Sequence, residues 1–379
     1  MKRVGIIGGG QLGLMLAQAL VELGAVVSIF DPDAEAPARR TCGLFTKASF
    51  SDVAALTSFF DQNEVVTFEF ENLDANALAA VSSRTPLWPS VEVLRTAQDR
   101  VLEKRFLVDQ GVPVVRHAWA PKPGDQAAAL QYVGFPLIAK TARGGYDGKG
   151  QVTLRSAAGS VADLAALAEV PGGWIFEERV NIVREVSCIV ARGADGEEQL
   201  FPIFENLHRD HILDTTIVPA RVEPAMAEQA GQIAIKLARG LGVVGLLTVE
   251  FFITDRGLFV NELAPRPHNS GHVTRRATRF SQFSALARVL CGVPIGKPVL
   301  RSNSVWAMGN LLGEVWPKQP GAPLGLTPWA AFPTVAEVYL YGKRIPADKR
   351  KMGHFLVEEP TAEAAEQTVQ DFRAALRRG

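Results

Sequence analysis

The amino-terminal segment MKRVGIIGGGQLG does most to restrict how this chain can fold. Residues 4–7 are a short apolar run that reads as a buried strand. The glycines of GGGQLG follow, and Leu12, Leu16, Leu20 and Leu23 then recur at helical spacing. A buried strand that turns through glycine into an amphipathic helix starts a parallel α/β sheet, because parallel strands need a crossover between them. The unit repeats. Gly24 stops the helix, residues 26–30 are a second strand ending at Asp31, and Ser51 or Asp52 caps a helix running to Phe60. Residues 65–70 are a third strand, and alternation persists to about Pro89, so a first boundary is expected near Thr96, after TPLWPS.

Beyond that point strands dominate. A helix over residues 98–110 leads to FPLIAKT, QVTLR, WIFEERV, EVSCIVA and QLFPIFE, with turns such as RGGYDGKG and RGADGEE between them, and the stretch reads as largely antiparallel. A helix over 226–241 precedes the strand pair TVEFFIT and LFVNELA. Short strands and an Ala/Glu/Arg-rich helix follow Arg301. At 379 residues the chain exceeds one core, so two or three domains are expected. Lys+Arg and Asp+Glu balance at 40 each, leaving no overall field to recruit nucleic acid or an anionic membrane. Cys42, Cys188 and Cys291 form no CxxC and read as reduced thiols. No apolar run approaches a membrane span or a signal peptide, and the expected location is cytoplasmic.

Gly8, Gly10 and Gly13 fit G-x-G-x-x-G between strand and helix, and Asp31 ends the next strand. This is the dinucleotide fingerprint, in which glycines admit a pyrophosphate to the helix amino end. The segment alone leaves two readings open: a dehydrogenase that would bind NADH, or a Rossmann-like domain that kept the turn for packing or another phosphate.

Other motifs favour a phosphoryl-transfer site. RGGYDGKGQ, residues 143–151, carries four glycines that free backbone N–H groups for an anion, with Lys149 as a mobile cation. Lys140, in the apolar strand before it, is costly to bury unless a phosphate receives it. TVEFFIT and LFVNELA flank Asp255-Arg256-Gly257, read as a three-residue hairpin loop, which sets Glu250 opposite Glu262 within about 5.5 Å at Cβ. Two like charges so placed need a divalent cation, while alternation turns Asn261 to the other face. Glu177 and Glu178 close a strand and read as an edge offering backbone groups to an adenine, with Glu185 toward the ribose. APRPHNSGH concentrates Arg266, His268, Asn269, Ser270 and His272 into an expected substrate wall. Lys343, Arg344, Lys349, Arg350 and Lys351 form a basic run suited either to solvent or to a second phosphate.

The ordered set GGGQLG, AQDRVLEKR, PLIAKTARGGYDGKGQ, EERV–REVS, ENLHRDHIL, VEFF, NELAPRPHNSGH and KRKMGH resembles the ATP-grasp superfamily, and within it the 5-(carboxyamino)imidazole ribonucleotide synthases, over nearly the whole chain. The resemblance implies a Rossmann-like domain at 1–97, a central ATP-grasp domain at 98–300, and a small β-rich domain at 301–379. It implies that ATP is contacted by Arg100, Lys140, Gly145, Tyr146, Asp147, Gly148, Lys149, Gly150, Gln151 and His208. Glu177, Glu178, Arg179 and Val180 would form the adenine hinge and Glu185 would hold the ribose. Glu250 and Glu262 would bind magnesium, or manganese in its place, beside Asn261. Tyr146, Asp147, Arg266, His268 and Asn269 would face the imidazole and the carboxylating intermediate, and Gln11, Lys343 and Arg350 the substrate phosphate. The implied partners are aminoimidazole ribonucleotide, bicarbonate and ATP, and the implied assembly is a homodimer. The competing readings are another ATP-grasp carboxylase or formyl-phosphate ligase, the dehydrogenase, and a non-catalytic nucleotide-binding scaffold.

Overall fold

The computed structural model describes residues 1–145, 150–156, 170–317, 319 and 322–378. Strands β1 (Arg3–Ile7), β2 (Val26–Phe30), β3 (Leu44–Thr46) and β4 (Val65–Phe68) form a parallel sheet in the order β3-β2-β1-β4. Helix α1 (Gln11–Glu22) leaves β1 through the glycines, and Asp52 caps α2 (Val53–Gln62) by accepting from Ala55 N. The sequence pattern does not disclose β3, which is three residues long and has an exposed Leu44.

The helix expected over residues 98–110 is the second of a pair. After α3 (Ala75–Val81), helices α4 (Val91–Gln98) and α5 (Arg100–Asp109) are separated by Asp99. Its extended backbone ends α4, and its carboxylate caps α5 by accepting from Val101 N and Leu102 N. Thr96 therefore lies inside α4.

Strands β5 (His117–Ala120), β6 (Leu137–Thr141), β7 (Gln151–Leu154) and β8 (Trp174–Glu178) make a small antiparallel sheet ordered β5-β8-β6-β7. The helix Gln126–Val133 packs on it. The remaining strands are β9 (Ile182–Arg192), β10 (Glu198–Leu200), β11 (Phe204–Arg209), β12 (Ile212–Val218), β13 (Gly245–Thr254), β14 (Gly257–Ala264), β15 (Val305–Leu312), β16 (Val335–Leu340) and β17 (Lys351–Glu359). They form one nine-stranded antiparallel sheet ordered β14-β13-β9-β11-β12-β15-β17-β16, with β10 on β9. The strands after Arg301 thus continue the central sheet through the β12–β15 pairing. One core joins Leu12, Leu16 and Leu20 of α1 to Leu286 and Leu290 of the helix Gln282–Cys291, so the amino-terminal sheet is seated on the central one. Its consequence is that the segment after β4, the loop after β14 and the loop after β16 come together around a cleft, with Glu71 pairing with Arg266 and Glu69 within electrostatic reach of Lys343.

The hairpin departs from expectation in a useful way. Thr254 pairs with Gly257, so the loop is the two residues Asp255-Arg256 rather than three. Gly257 has φ 110°, the conformation that favours glycine. That register alone would set Glu250 opposite Asn261. A bulge between Val249 and Phe251 moves the pairing by one residue, and Val249 then faces Leu263. Glu250 accordingly stands opposite Asn261 and Glu262 together.

Candidate active site

The glycine turn is filled from within the protein. Glu69, just beyond β4, accepts from Gly10 N and from Gly13 N (2.5 Å), and Asp31 accepts from Gly9 N at 2.7 Å. Burial raises both carboxyls above their ordinary range, against the opposing pull of these N–H groups. The N–H groups a dinucleotide's pyrophosphate would need are therefore already taken by two side chains, and the dehydrogenase reading fails on this contact.

At the bulge the two expected metal carboxylates do meet. Glu250 is held by His268 Nε2 at 2.9 Å, and although burial opposes it, that hydrogen bond and charge bring its carboxyl down to about 2. Glu262 is open to solvent on the cleft floor, yet the surrounding protein and then the charge of Glu250 push its carboxyl up, while Lys140 and Arg100 pull the other way. Two carboxylates this close repel each other, and a divalent cation between them would relieve that repulsion. Among the described residues no group of three or more His, Cys, Asp or Glu could cage a metal. Magnesium, which keeps waters and phosphate oxygens and takes one or two carboxylates, fits that donor set. Asn261 Oδ1 is buried beside them without a hydrogen-bond partner.

The lysine of β6 has a protein partner rather than only an awaited phosphate. Lys140 Nζ lies 2.5 Å from Glu177 Oε2, and Lys104 Nζ lies 3.2 Å from Glu177 Oε1. Burial would raise the Glu177 carboxyl, but Lys104 and Lys140 bring it down to about 2. The edge expectation for Glu177 is overturned: β8 pairs with β5 on one side and β6 on the other, so the backbone of Glu177 is engaged by the sheet. Past the strand, Arg179 N donates to Pro136 O, and Glu178 meets Arg256 at 3.1 Å. Arg100 lies at the base of the glycine loop, donating to Thr141 O (2.9 Å), Gly144 O (2.7 Å) and Gly145 O (3.2 Å). Gly150 and Gln151 rejoin the described chain, and Gln151 contacts His211 at 3.3 Å. Tyr146, Asp147, Gly148 and Lys149 lie outside the described residues. Glu185 and His208 pair at 3.1 Å, and the bond to Glu185 raises the imidazole pKa against the effect of burial.

The expected substrate wall is thinner than the motif suggested. Arg266 and His268 border the cleft, and both amide atoms of Asn269 are buried without partners. Ser270 and His272 are fully buried behind them. Ser270 Oγ bonds His268 Nδ1 and Ser187 Oγ, while His272 packs on His354 with ring centroids 4.7 Å apart. Of the basic run, Lys343 is drawn inward, donating to Lys351 O, and burial with the nearby charge of Arg350 lowers it to about 8. Glu69 faces it from the glycine turn that Gln11 closes. Arg350 donates to Ile345 O, whereas Arg344 is exposed and pairs with Glu35.

Three family models divide this chain: a ribonucleotide synthetase preATP-grasp domain over residues 1–98, an ATP-grasp domain over 105–283, and a phosphoribosylaminoimidazole carboxylase carboxyl-terminal domain over 307–368. The N5-carboxyaminoimidazole ribonucleotide synthase of Bacillus subtilis is 39% identical over 352 residues, 93% of this chain and 90% of the relative. The chain belongs to the N5-carboxyaminoimidazole ribonucleotide synthase family. It is an ATP-grasp ligase of purine biosynthesis. A solved ADP complex of an N5-carboxyaminoimidazole ribonucleotide synthetase superposes with a TM-score of 0.91 at 36% identity, covering 100% of this chain and 98% of that one. The Aspergillus clavatus synthase, solved with ADP and 5-aminoimidazole ribonucleotide, gives 0.88 at 28% identity over 100% and 99%.

Within this synthase fold, four side chains in the cleft wall went unread in the sequence. Glu71, two residues after Glu69, makes a bidentate pair with Arg266 at 2.7 and 2.5 Å. Lys104 and Glu103 approach β14 from α5. The signal for Glu69 and Glu71 was present, since TFEFE places acids at the carboxyl end of a buried parallel strand, where such sheets bind ligands. Nothing local marks Lys104.

Proposed function

We propose that the chain carboxylates the exocyclic amine of 5-aminoimidazole ribonucleotide with bicarbonate, at the expense of ATP, giving 5-(carboxyamino)imidazole ribonucleotide, ADP and phosphate. The observation that carries this reading is the meeting of Glu250 and Glu262 on the cleft floor, within electrostatic reach of Lys140 and Arg100. Glu250 and Glu262 would hold magnesium, or manganese in its place, which when bound neutralises charge on phosphate oxygens.

ATP phosphorylates bicarbonate, and the amine attacks the carboxyl carbon of the resulting carboxyphosphate as phosphate leaves. Such a transfer needs charge neutralisation and positioning more than a nucleophile, and these residues supply cations and oriented amides. Lys140 and Arg100 face the polyphosphate, residues 178–180 and Glu185 hold adenine and ribose, and His208 keeps Glu185 oriented. Residues 145–151 close over the unstable intermediate and exclude water. Asp147 orients or deprotonates the amine. Arg266, His268 and Asn269 align the imidazole, and the unpartnered amide of Asn269 suits a ligand that completes its hydrogen bonds. Gln11, Lys343 and Arg350 take the ribonucleotide phosphate. We place domain limits at 1–97, 98–300 and 301–379, and take the working form to be a cytoplasmic homodimer. Among the described residues no helix is long and apolar enough to cross a membrane.

Coupled ADP release tests the reading. Release should require aminoimidazole ribonucleotide, bicarbonate and magnesium together, and Asp147→Asn should cut turnover while leaving ATP affinity nearly intact. ADP release indifferent to the ribonucleotide would remove the proposal.

A further inference from the structure

The bulge that brings Glu250 to Glu262 creates a problem that α5 solves. A bulge takes residues out of the ladder, and Glu250, Asn261 and Glu262 have no register partners between β13 and β14. The peptide groups on either side of Glu262 still need hydrogen bonds. Two consecutive side chains of α5 provide them. Lys104 Nζ donates to Asn261 O at 2.9 Å, and Glu103 Oε1 accepts from Leu263 N at 2.6 Å. One contact fixes the peptide before Glu262 and the other the peptide after it, so the backbone carrying that carboxylate is gripped at both ends.

The residues doing this are unusual choices for a backbone clamp. Glu103 and Lys104 are 4% and 2% exposed. Burying such groups is expensive, and it pushes the Glu103 carboxyl up to about 8; an amide side chain or a water could have satisfied the same peptide groups. What the pair adds is direction: short bonds from a rigid helix, charge-assisted on the Lys104 side. Lys104 also reaches Glu177, which holds Lys140. Helix α5 thereby links the strand bearing Glu262 to the strand bearing Lys140 by an unbroken chain of side chains.

We propose that Glu103 and Lys104 are positioning residues that aim Glu262 at the bound metal and keep it in register with Lys140. The inference rests on the reading of Glu250 and Glu262 as metal ligands. Supporting groups of this kind change metal affinity by roughly 10–100-fold when removed.

The test uses the full chain with ADP and manganese, with free manganese followed by electron paramagnetic resonance. Glu103→Ala and Lys104→Met should each weaken manganese binding by about tenfold or more. Glu103→Gln, whose amide oxygen can still accept from Leu263 N, should stay within about threefold of the wild type. The metal concentration for half-maximal activity should rise in the same order, while KM for the ribonucleotide moves little. Should Lys104→Met fail to fold, the Glu103→Ala and Glu103→Gln pair carries the comparison below both melting points. Manganese affinity unchanged in Glu103→Ala, with only thermal stability lost, overturns the proposal while leaving the metal site standing. Glu262→Gln is the control: if it too binds manganese normally, the ligand assignment itself fails and takes this inference with it.

Discussion

Glu177→Gln removes a negative charge that two lysines share. In the wild type Lys104 and Lys140 bring the Glu177 carboxyl from its ordinary 4.5 to about 2 in spite of burial. At roughly 1.4 kcal/mol per pH unit, that displacement corresponds to about 3 kcal/mol of stabilisation of the charged form. The same figure follows from breaking a buried ion pair at one end, which costs about 3–5 kcal/mol. Lys104 is the side chain left stranded, being only 2% exposed, whereas Lys140 at 14% can turn toward the cleft. Urea unfolding by tryptophan fluorescence and far-ultraviolet dichroism should therefore show Glu177→Gln destabilised by about 3 kcal/mol at pH 7. Adding Lys104→Met removes the stranded charge, so the double variant should cost at least about 1 kcal/mol less than the sum of the singles. The sign with pH is fixed by the depressed carboxyl. Its contribution is complete above the unfolded value and is lost as pH falls through the folded one. The gap between wild type and Glu177→Gln should thus narrow below about pH 4.5 and close near pH 2. Strict additivity, or a gap that ignores pH, would refute the reasoning.

Three further outcomes can be checked. His272 and His354 are fully buried, and burial first, with the nearby Arg275 charge adding to it, holds both imidazoles well below their ordinary pKa. Below about pH 6.5 the unfolded chain takes up protons that the folded rings refuse, so stability should fall as pH drops from 8 to 5. His272→Phe should flatten that decline, and an unaltered slope in urea midpoints counts against it. In Gly13→Ala the new Cβ would lie 2.6 Å from Gly8 O, so α1 must move off β1; a loss of about 1–3 kcal/mol is expected in thermal unfolding. Glu71→Gln loosens Arg266, and steady-state kinetics should show KM for the ribonucleotide rising about tenfold with ATP kinetics nearly unchanged.

What could be read from sequence followed from local periodicity. Residues 26–30 and the cap at Asp52 emerged as expected because burial and capping act over a few neighbours. Strand alternation was enough to bring Glu250 and Glu262 together, even though the loop is shorter and the register passes through a bulge. The bulge itself could not be foreseen, because its stabilising partners sit on α5, far off in the chain. Lys104 in AQDRVLEKR looks like any solvated helix lysine until β8 and β14 close around it. Alternation is also silent in loops: PHNSGH, read as a wall of five polar side chains with its flanks, gives no hint that His272 turns into the core. Glu177 was misread as an edge because a strand's place in a sheet depends on which segments flank it.

The acid seated in the glycine turn has a wider consequence for how such loops are interpreted. Spacing of three glycines reports only that amide hydrogens converge; whether they await a guest depends on what the next strands deliver. Here the decisive residue arrives from 56 positions downstream of Gly13. A nicotinamide dinucleotide would first have to evict that resident carboxylate, so the amino-terminal sheet keeps the outline of a cofactor cradle while its vacancy has been closed by the chain itself.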